Sequence, residues 1–223
     1  MFLEAAGIDV KGVMTHAGAS YDCKSTEAIR AMAEQERAGA VHAASRLRAA
    51  GLACPVVSVG STPTALFAQQ LEGVTEVRAG VFVFFDLVMA GLGVCRVDDI
   101  ALSVLGTVIG HRPDKGWTLV DAGWMAMSRD RGTAGQAVDQ GYGRVCDVNG
   151  RPLADLILAG ANQEHGIVAH RSGRTDGALH LPVGTQLRIL PNHACSTAAQ
   201  YGSYNVVGPQ GAVTADWPRF NGW

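Results

Sequence analysis

Pro55-Val56-Val57-Ser58-Val59 is the segment that most narrows what this chain can fold into. A short, near-continuous apolar run is the pattern of a strand buried on both faces, as in parallel sheets covered by helices. Its surroundings fit. Ser25 or Thr26 can cap a helix that begins at Glu27, carries Ala28, Ile29, Met32, Ala33, Val41, Ala44 and Leu47, and stops at Gly51. Before that helix, Val10–Thr15 reads as a short strand ending in His16-Ala17-Gly18-Ala19-Ser20-Tyr21, and Glu76–Phe85 reads as a third strand. Strand, helix, strand in this rhythm predicts a parallel sheet with crossover helices.

From about residue 89 the pattern changes. Ile100–Ile109 and Gly116–Asp121 are short β-rich runs separated by turn signals, among them Arg112–Gly116, Val148-Asn149-Gly150, Arg171-Ser172-Gly173 and Pro209-Gln210-Gly211. Asn149-Gly150 between Val145-Cys146 and Pro152-Leu153 predicts a hairpin. The second part is therefore antiparallel β, a small barrel or a sandwich. The expected fold class is α/β plus β, divided into residues 1–88 and 89–223.

The hydrophobic share of 48% against 17% charged residues allows a packed core. A formal net charge of −2, a pI near 6.4 and no basic block argue against nucleic acid or an acidic membrane surface as partner. Five widely spaced cysteines with no CxxC suit reduced thiols better than a disulfide framework. Met1–Ala6 has no signal-peptide pattern and no apolar run is long enough to span a bilayer, so a cytoplasmic location is expected.

Two places carry candidate chemistry. After the apolar strand, Gly60-Ser61-Thr62-Pro63-Thr64 offers amides and hydroxyls at a proline-started helix, either an anion cradle or an ordinary capped βα turn. Arg78-Ala79-Gly80-Val81 is a second glycine-bearing strand end, and Arg78 can serve a carboxylate or a surface ion pair. The other place is Leu190-Pro191-Asn192-His193-Ala194-Cys195, which follows the alternating run Thr185–Leu190. Pro191 is expected to stop the ladder, and an extended backbone would turn His193 and Cys195 to the same side. Imidazole and thiol together suit zinc with open positions, whereas on spacing alone the pair reads as a free cysteine beside a hydrogen-bonded histidine.

Six segments in order along the chain resemble one family: Gly12–Tyr21, Val57–Thr64, Glu76–Asp86, Val120–Gly123, Glu164-His165-Gly166 and Leu190–Cys195, with Trp217-Pro218-Arg219 and Gly222-Trp223 at the end. The family is that of D-serine dehydratase and D-threonine aldolase, fold-type III pyridoxal-phosphate enzymes related to alanine racemase. The resemblance implies that residues 1–88 are the later strands of a cofactor-binding (β/α) barrel, and that residues 89–223 form an antiparallel β domain carrying the metal pair. It implies that Tyr21 lines the cofactor pocket and that Gly60, Ser61, Thr62, Gly80 and Val81 hold or flank the phosphate of pyridoxal 5'-phosphate. His193 and Cys195 match the metal pair. His-x-Cys is the dehydratase type with zinc, whereas the aldolases tend towards His-x-Asp with manganese or magnesium.

The implied reaction takes a small D-3-hydroxy amino acid, D-serine in the first instance, to pyruvate and ammonia. The metal acts as Lewis acid on the β-hydroxyl, and a homodimer is the expected assembly. A D-threonine or 3-hydroxy-D-aspartate aldolase is the nearest alternative, and a non-catalytic cofactor-fold or zinc-binding remnant is an alternative of another class. A racemase is disfavoured because it has no use for the metal. The family also implies a Schiff-base lysine at the end of its first barrel strand, and Lys11, Lys24 and Lys115 do not match it. A full barrel takes about 250 residues and eight strands. The chain thus reads as N-terminally truncated or degraded, poorly soluble as an open half-barrel and inactive alone. His16 is expected at a strand end, touching the cofactor or positioning Tyr21. Asp121 is expected in a turn or cap, His165 in a supporting role, and Trp117, Trp124, Trp217 and Trp223 in packing.

Overall fold

A computed structural model describes residues 7–176, 180–209 and 211–220. Gln210 of one expected turn, and Gly222 and Trp223, lie outside the described residues. The chain divides into two compact units. One runs to Val83 and includes Leu92–Val94, and the other comprises Phe84–Gly91 and the chain from Cys95 onwards. Residues 84–88, which the sequence reading groups with the first part, pack with the second.

The first unit is a three-stranded parallel sheet: β1 (Gly12–Met14), β2 (Val56–Val59) and β3 (Glu76–Val77) in that order. Between β1 and β2 lies helix α1 (Thr26–Ala49). The Ser25 side chain caps it by accepting from the amide of Ala28, and Gly51 with φ +90° lies just past its end. Ile29, Ala33, Glu36, Ala40 and Ala44 form the buried stripe of α1, at the three- and four-residue spacing of one helical face. Its alanines let the helix lie close against Val57 and Val59. A carboxylate, Glu36, occupies one position of that stripe.

The third strand is much shorter than the apolar run Glu76–Phe85 suggests. Arg78 still donates its amide to the carbonyl of Val59, but the partner strand ends there and Gly60 turns away at φ +148°. With no ladder left, Val81–Val83 winds into a 3-10 turn. Helix α2 (Thr62–Phe67) follows β2, with Pro63 in its first turn.

The second unit opens with helix α3 (Leu87–Gly91). Six strands then close into an antiparallel barrel in the order β4-β5-β8-β7-β6-β9. These are β4 (Val104–Arg112), β5 (Trp117–Val120), β6 (Gly143–Cys146), β7 (Pro152–Ala161), β8 (Gly166–His170) and β9 (Gln186–Pro191). Helix α4 (Trp124–Met127) follows β5. Val104, Val108, Val120, Val145, Leu158, Val168, Leu187 and Ile189 point inward and fill the barrel. The expected hairpin joins β6 to β7, with Gly150 at φ +84° and Asp147 accepting from the amides of Asn149 and Arg151.

Pro191 is the last residue of β9, opposite Gly143, so the proline takes a ladder position and ends it. The chain then enters helix α5 (Ala194–Ala198) rather than an extended loop. A two-stranded ribbon, β10 (Ser203–Val207) with β11 (Val213–Pro218), completes the unit. Trp217 lies on this ribbon 59% exposed, contrary to the packing role expected of it, because neither face of β11 is covered within the unit. No helix among the described residues is long and apolar enough to cross a membrane.

Candidate metal pair and phosphate loops

In the second unit, His193 and Cys195 meet through a helix start. His193 is the N-cap of α5, on extended backbone (φ −134°, ψ 105°), and Cys195 lies in its first turn, so the two residues straddle the change from extended to helical chain. Cys195 is exposed and its thiol interacts with the His193 ring. Nδ1 of that ring lies 2.6 Å from Oδ2 of Asp130. The Asp130 carboxylate, with the Cys195 contact second, raises the His193 pKa to about 10. The same bond holds the Asp130 carboxyl below its usual range. Oδ1 of Asp130 accepts from the amide of Gly132, which fixes the carboxylate plane.

Buried Asn192 ties the surrounding chain together. Its Nδ2 donates to the carbonyls of Gly141 (2.6 Å) and Asp130 (3.2 Å), and its Oδ1 accepts from Thr133 Oγ1 at 2.9 Å. Asp86 is fully buried, with one carboxylate oxygen accepting from the amide of Met89 and the other from the amide of Ala194, both at 2.9 Å. Burial raises its pKa. Among the described residues no group of three or more His, Cys, Asp or Glu side chains is arranged to hold an ion. Two soft donors with an oriented imidazole fit a divalent ion that keeps open positions, and a thiol–imidazole set favours zinc over manganese or magnesium.

In the first unit, the loops after β2 and β3 are adjacent. A Cβ on Gly60 would lie 1.9 Å from the Arg78 carbonyl oxygen, and Phe82 donates its amide to Thr62 Oγ1 at 3.2 Å. Glu36 Oε1 accepts from the Gly60 amide and from Thr15 Oγ1, and its Oε2 accepts from Thr64 Oγ1 at 2.8 Å. Because Thr64 gives its proton to Glu36, the neighbouring contacts order a chain in which Ser20 donates to Ser61 and Ser61 to Thr64. Ser61 Oγ also caps α2 by accepting from the Thr64 amide.

The amide of Gly60 and the hydroxyl of Ser61 are thus spent on the loop itself. Of the other expected residues Gly80 is exposed, where a Cβ would meet nothing within 4 Å, whereas Thr62 and Val81 are buried beside it. Small residues, an open space at Gly80 and a hydroxyl beside a helix start fit a phosphate group. His16 Nδ1 contacts the Gly60 carbonyl at 3.0 Å, and its ring lies 6.1 Å from that of Tyr21. Arg78 turns inward, donating to Ser58 Oγ and to the carbonyl of Thr15, while Glu76 stays 3.9 Å away. Lys11 lies before β1 in an exposed pair with Asp9, Lys24 precedes the cap of α1, and Lys115 lies over the Trp117 ring.

The remaining expected residues support the barrel. Asp121 Oδ1 accepts from the Thr107 amide at 2.6 Å, and His165 Nε2 contacts Asn162 Nδ2 at 2.9 Å. Asp130, Asp86 and Glu36 have no sequence signal of their own. Asp86 stands inside a segment resembling the family, where its apolar neighbours could have marked it as buried.

Two family models match the chain: alanine racemase, N-terminal domain, over residues 2–88, and putative serine dehydratase domain over residues 101–207. D-threo-3-hydroxyaspartate dehydratase of Delftia sp. (strain HT23) is 61% identical over 99% of this chain and 58% of its own length. Its solved structure has a TM-score of 0.91, covering 99% of this chain and 59% of that one. Two further solved forms of a protein of that name are also 61% identical. One is a cysteine-to-alanine variant in the metal-free form, TM-score 0.91, covering 99% of this chain and 59% of its own. The other is a histidine-to-alanine variant, two positions before that cysteine, TM-score 0.92, covering 99% and 57%. D-serine dehydratase of Dictyostelium discoideum is 31% identical over 88% of this chain and 50% of its own length. An alanine racemase-like protein from Idiomarina loihiensis is 47% identical with a TM-score of 0.86, covering 96% of this chain and 56% of that one. The chain spans 50% to 58% of the length of these curated relatives.

Proposed function

Because this chain belongs to the D-serine dehydratase family of alanine racemase-like proteins, we propose that it carries the phosphate loops and metal pair of a pyridoxal-phosphate-dependent lyase. In the whole protein that lyase removes the hydroxyl of a D-3-hydroxy amino acid as water. The observation that carries the reading is the His193–Asp130 bond beside an exposed thiol. When bound, the metal supplies Lewis acidity towards a substrate hydroxyl and the pyridoxal ring supplies an electron sink for the α-carbon.

The chain's own residues do the positioning. Asp130 accepts a hydrogen bond from Nδ1–H of His193, which leaves Nε2 as the donor atom for an ion. Cys195 offers the second donor from the first turn of α5. The spacing of the two substituted residues in the related dehydratase, a histidine two positions before a cysteine, is that of His193 and Cys195 and supports this assignment. Thr62, Gly80 and Val81 receive the phosphate, Gly60 and Ser61 shape the loop through Glu36, and Tyr21 lies at the pocket beside His16. Lys11, Lys24 and Lys115 take no Schiff-base role in this reading.

Identity of 61% over 99% of the chain supports D-threo-3-hydroxyaspartate as first substrate, with D-serine second. A homodimer is the proposed assembly. The test is to incubate the whole protein with each substrate, with and without a chelator, and to measure ammonia and the 2-oxo acid. Oxaloacetate or pyruvate with equal ammonia, lost on chelation and restored by zinc, is expected. Glycine and an aldehyde would move the assignment to an aldolase, and no turnover of either substrate would overturn it.

A further inference from the structure

The helix that carries Cys195 has an unusual start. His193 is the N-cap of α5 but makes no side-chain cap, since its ring is turned to Asp130. The first amide of α5, that of Ala194, donates to Oδ2 of Asp86, a residue 108 positions away in sequence. Oδ1 of Asp86 caps its own helix α3 through the amide of Met89. From that same short helix the amide of Val88 donates to the carbonyl of Asn192 at 3.2 Å. His193 is therefore bonded on both flanks to residues 86–88, at Asn192 before it and Ala194 after it.

A fully buried carboxylate whose known partners here are two backbone amides is costly to place, and a serine or asparagine would serve for capping α3 alone. What only a two-oxygen acceptor supplies is the bridge. We infer that Asp86 is a positioning residue for the metal pair: by holding the first amide of α5, beside the Val88–Asn192 bond, it fixes the backbone on both sides of His193 and so sets the His193–Cys195 angle. This rests on the metal reading above.

The test uses the whole protein with its cofactor, stripped of metal and titrated with cobalt(II), whose thiolate charge-transfer band reports Cys195 ligation. Asp86→Ser keeps a cap for the Met89 amide but cannot bridge to Ala194, and Asp86→Asn keeps the shape while setting an amide against an amide. Both are expected to stay folded by circular dichroism and to bind cobalt at least about tenfold more weakly than wild type, with an altered band, as loss of an outer partner of a ligand does. A residue with a structural role only would lower the thermal midpoint and leave the affinity and band of the folded protein unchanged, which overturns the inference. So does unfolding of both variants. His193→Ala and Cys195→Ala are the controls. If wild type binds no cobalt, or these two bind it as wild type does, the metal reading falls and takes this inference with it.

Discussion

Oδ2 of Asp130 lies 2.6 Å from Nδ1 of His193, across 63 residues of sequence. The bond selects the ring tautomer and orientation that a metal ligand needs, since a histidine donating from one nitrogen offers the other to the ion. Asp130→Asn retains the size and loses the charge. It is expected to weaken zinc binding by about 10–100-fold, measured by competition with a chromogenic chelator. An unchanged constant would remove Asp130 from the site.

The same pair sets a pH dependence in the metal-free protein. His193 titrates at about 10 instead of its ordinary 6.5, so its contribution to stability is fully present below 6.5 and lost as pH rises through about 10. Asp130, held below 3.8, contributes above that value and loses its effect as pH falls further. His193→Ala should therefore lower the urea midpoint more at about pH 6 than at about pH 10.5. Equal losses at both values would mean that the ring is not held as an imidazolium.

Gly60 and Gly80 should respond differently to alanine. Gly60 has φ +148° and no room for a Cβ against the Arg78 carbonyl, so Gly60→Ala is expected to cost about 3 kcal/mol in urea unfolding. At Gly80 the space is open, and Gly80→Ala should stay within about 0.5 kcal/mol of wild type. If the phosphate lies there, Gly80→Ala will still release pyridoxal phosphate more readily, seen as loss of the cofactor's visible absorbance on dilution.

Glu36 receives Thr15, Gly60 and Thr64 within one buried helix stripe. Glu36→Gln puts a donor where one oxygen accepts and is expected to cost about 2–3 kcal/mol in urea unfolding. A loss below about 0.5 kcal/mol would show that the loop after β2 holds its shape without the carboxylate.

Much of the fold was legible because its causes are local. Ser25 and Gly51 bound α1, Val56–Val59 forms the middle strand, and Gly150 turns the β6–β7 hairpin. The third strand is shorter than its apolar run because its length depends on its partner: β2 ends at Val59, and no apolar run can pair with a strand that has stopped. Trp217 is exposed despite its apolar side chain because exposure depends on what covers β11. His193 and Cys195 were expected to face one way on extended backbone; they meet at a helix start instead.

What the sequence by itself determined is the residue types and the local chain: a glycine and hydroxyls after a buried strand, and a histidine two positions before a cysteine after another. Short-range sterics and hydrogen bonds suffice for these. What only the tertiary structure decided is the state of those residues. Whether the Ser61 hydroxyl is free depends on Glu36, which hydroxyl order ties to it through Thr64. Whether His193 is free to bind depends on Asp130 and Asp86, 63 and 108 positions away from their partners. A side chain's protonation and direction follow from the charges packed against it, and packing brings together groups that the order of residues keeps apart.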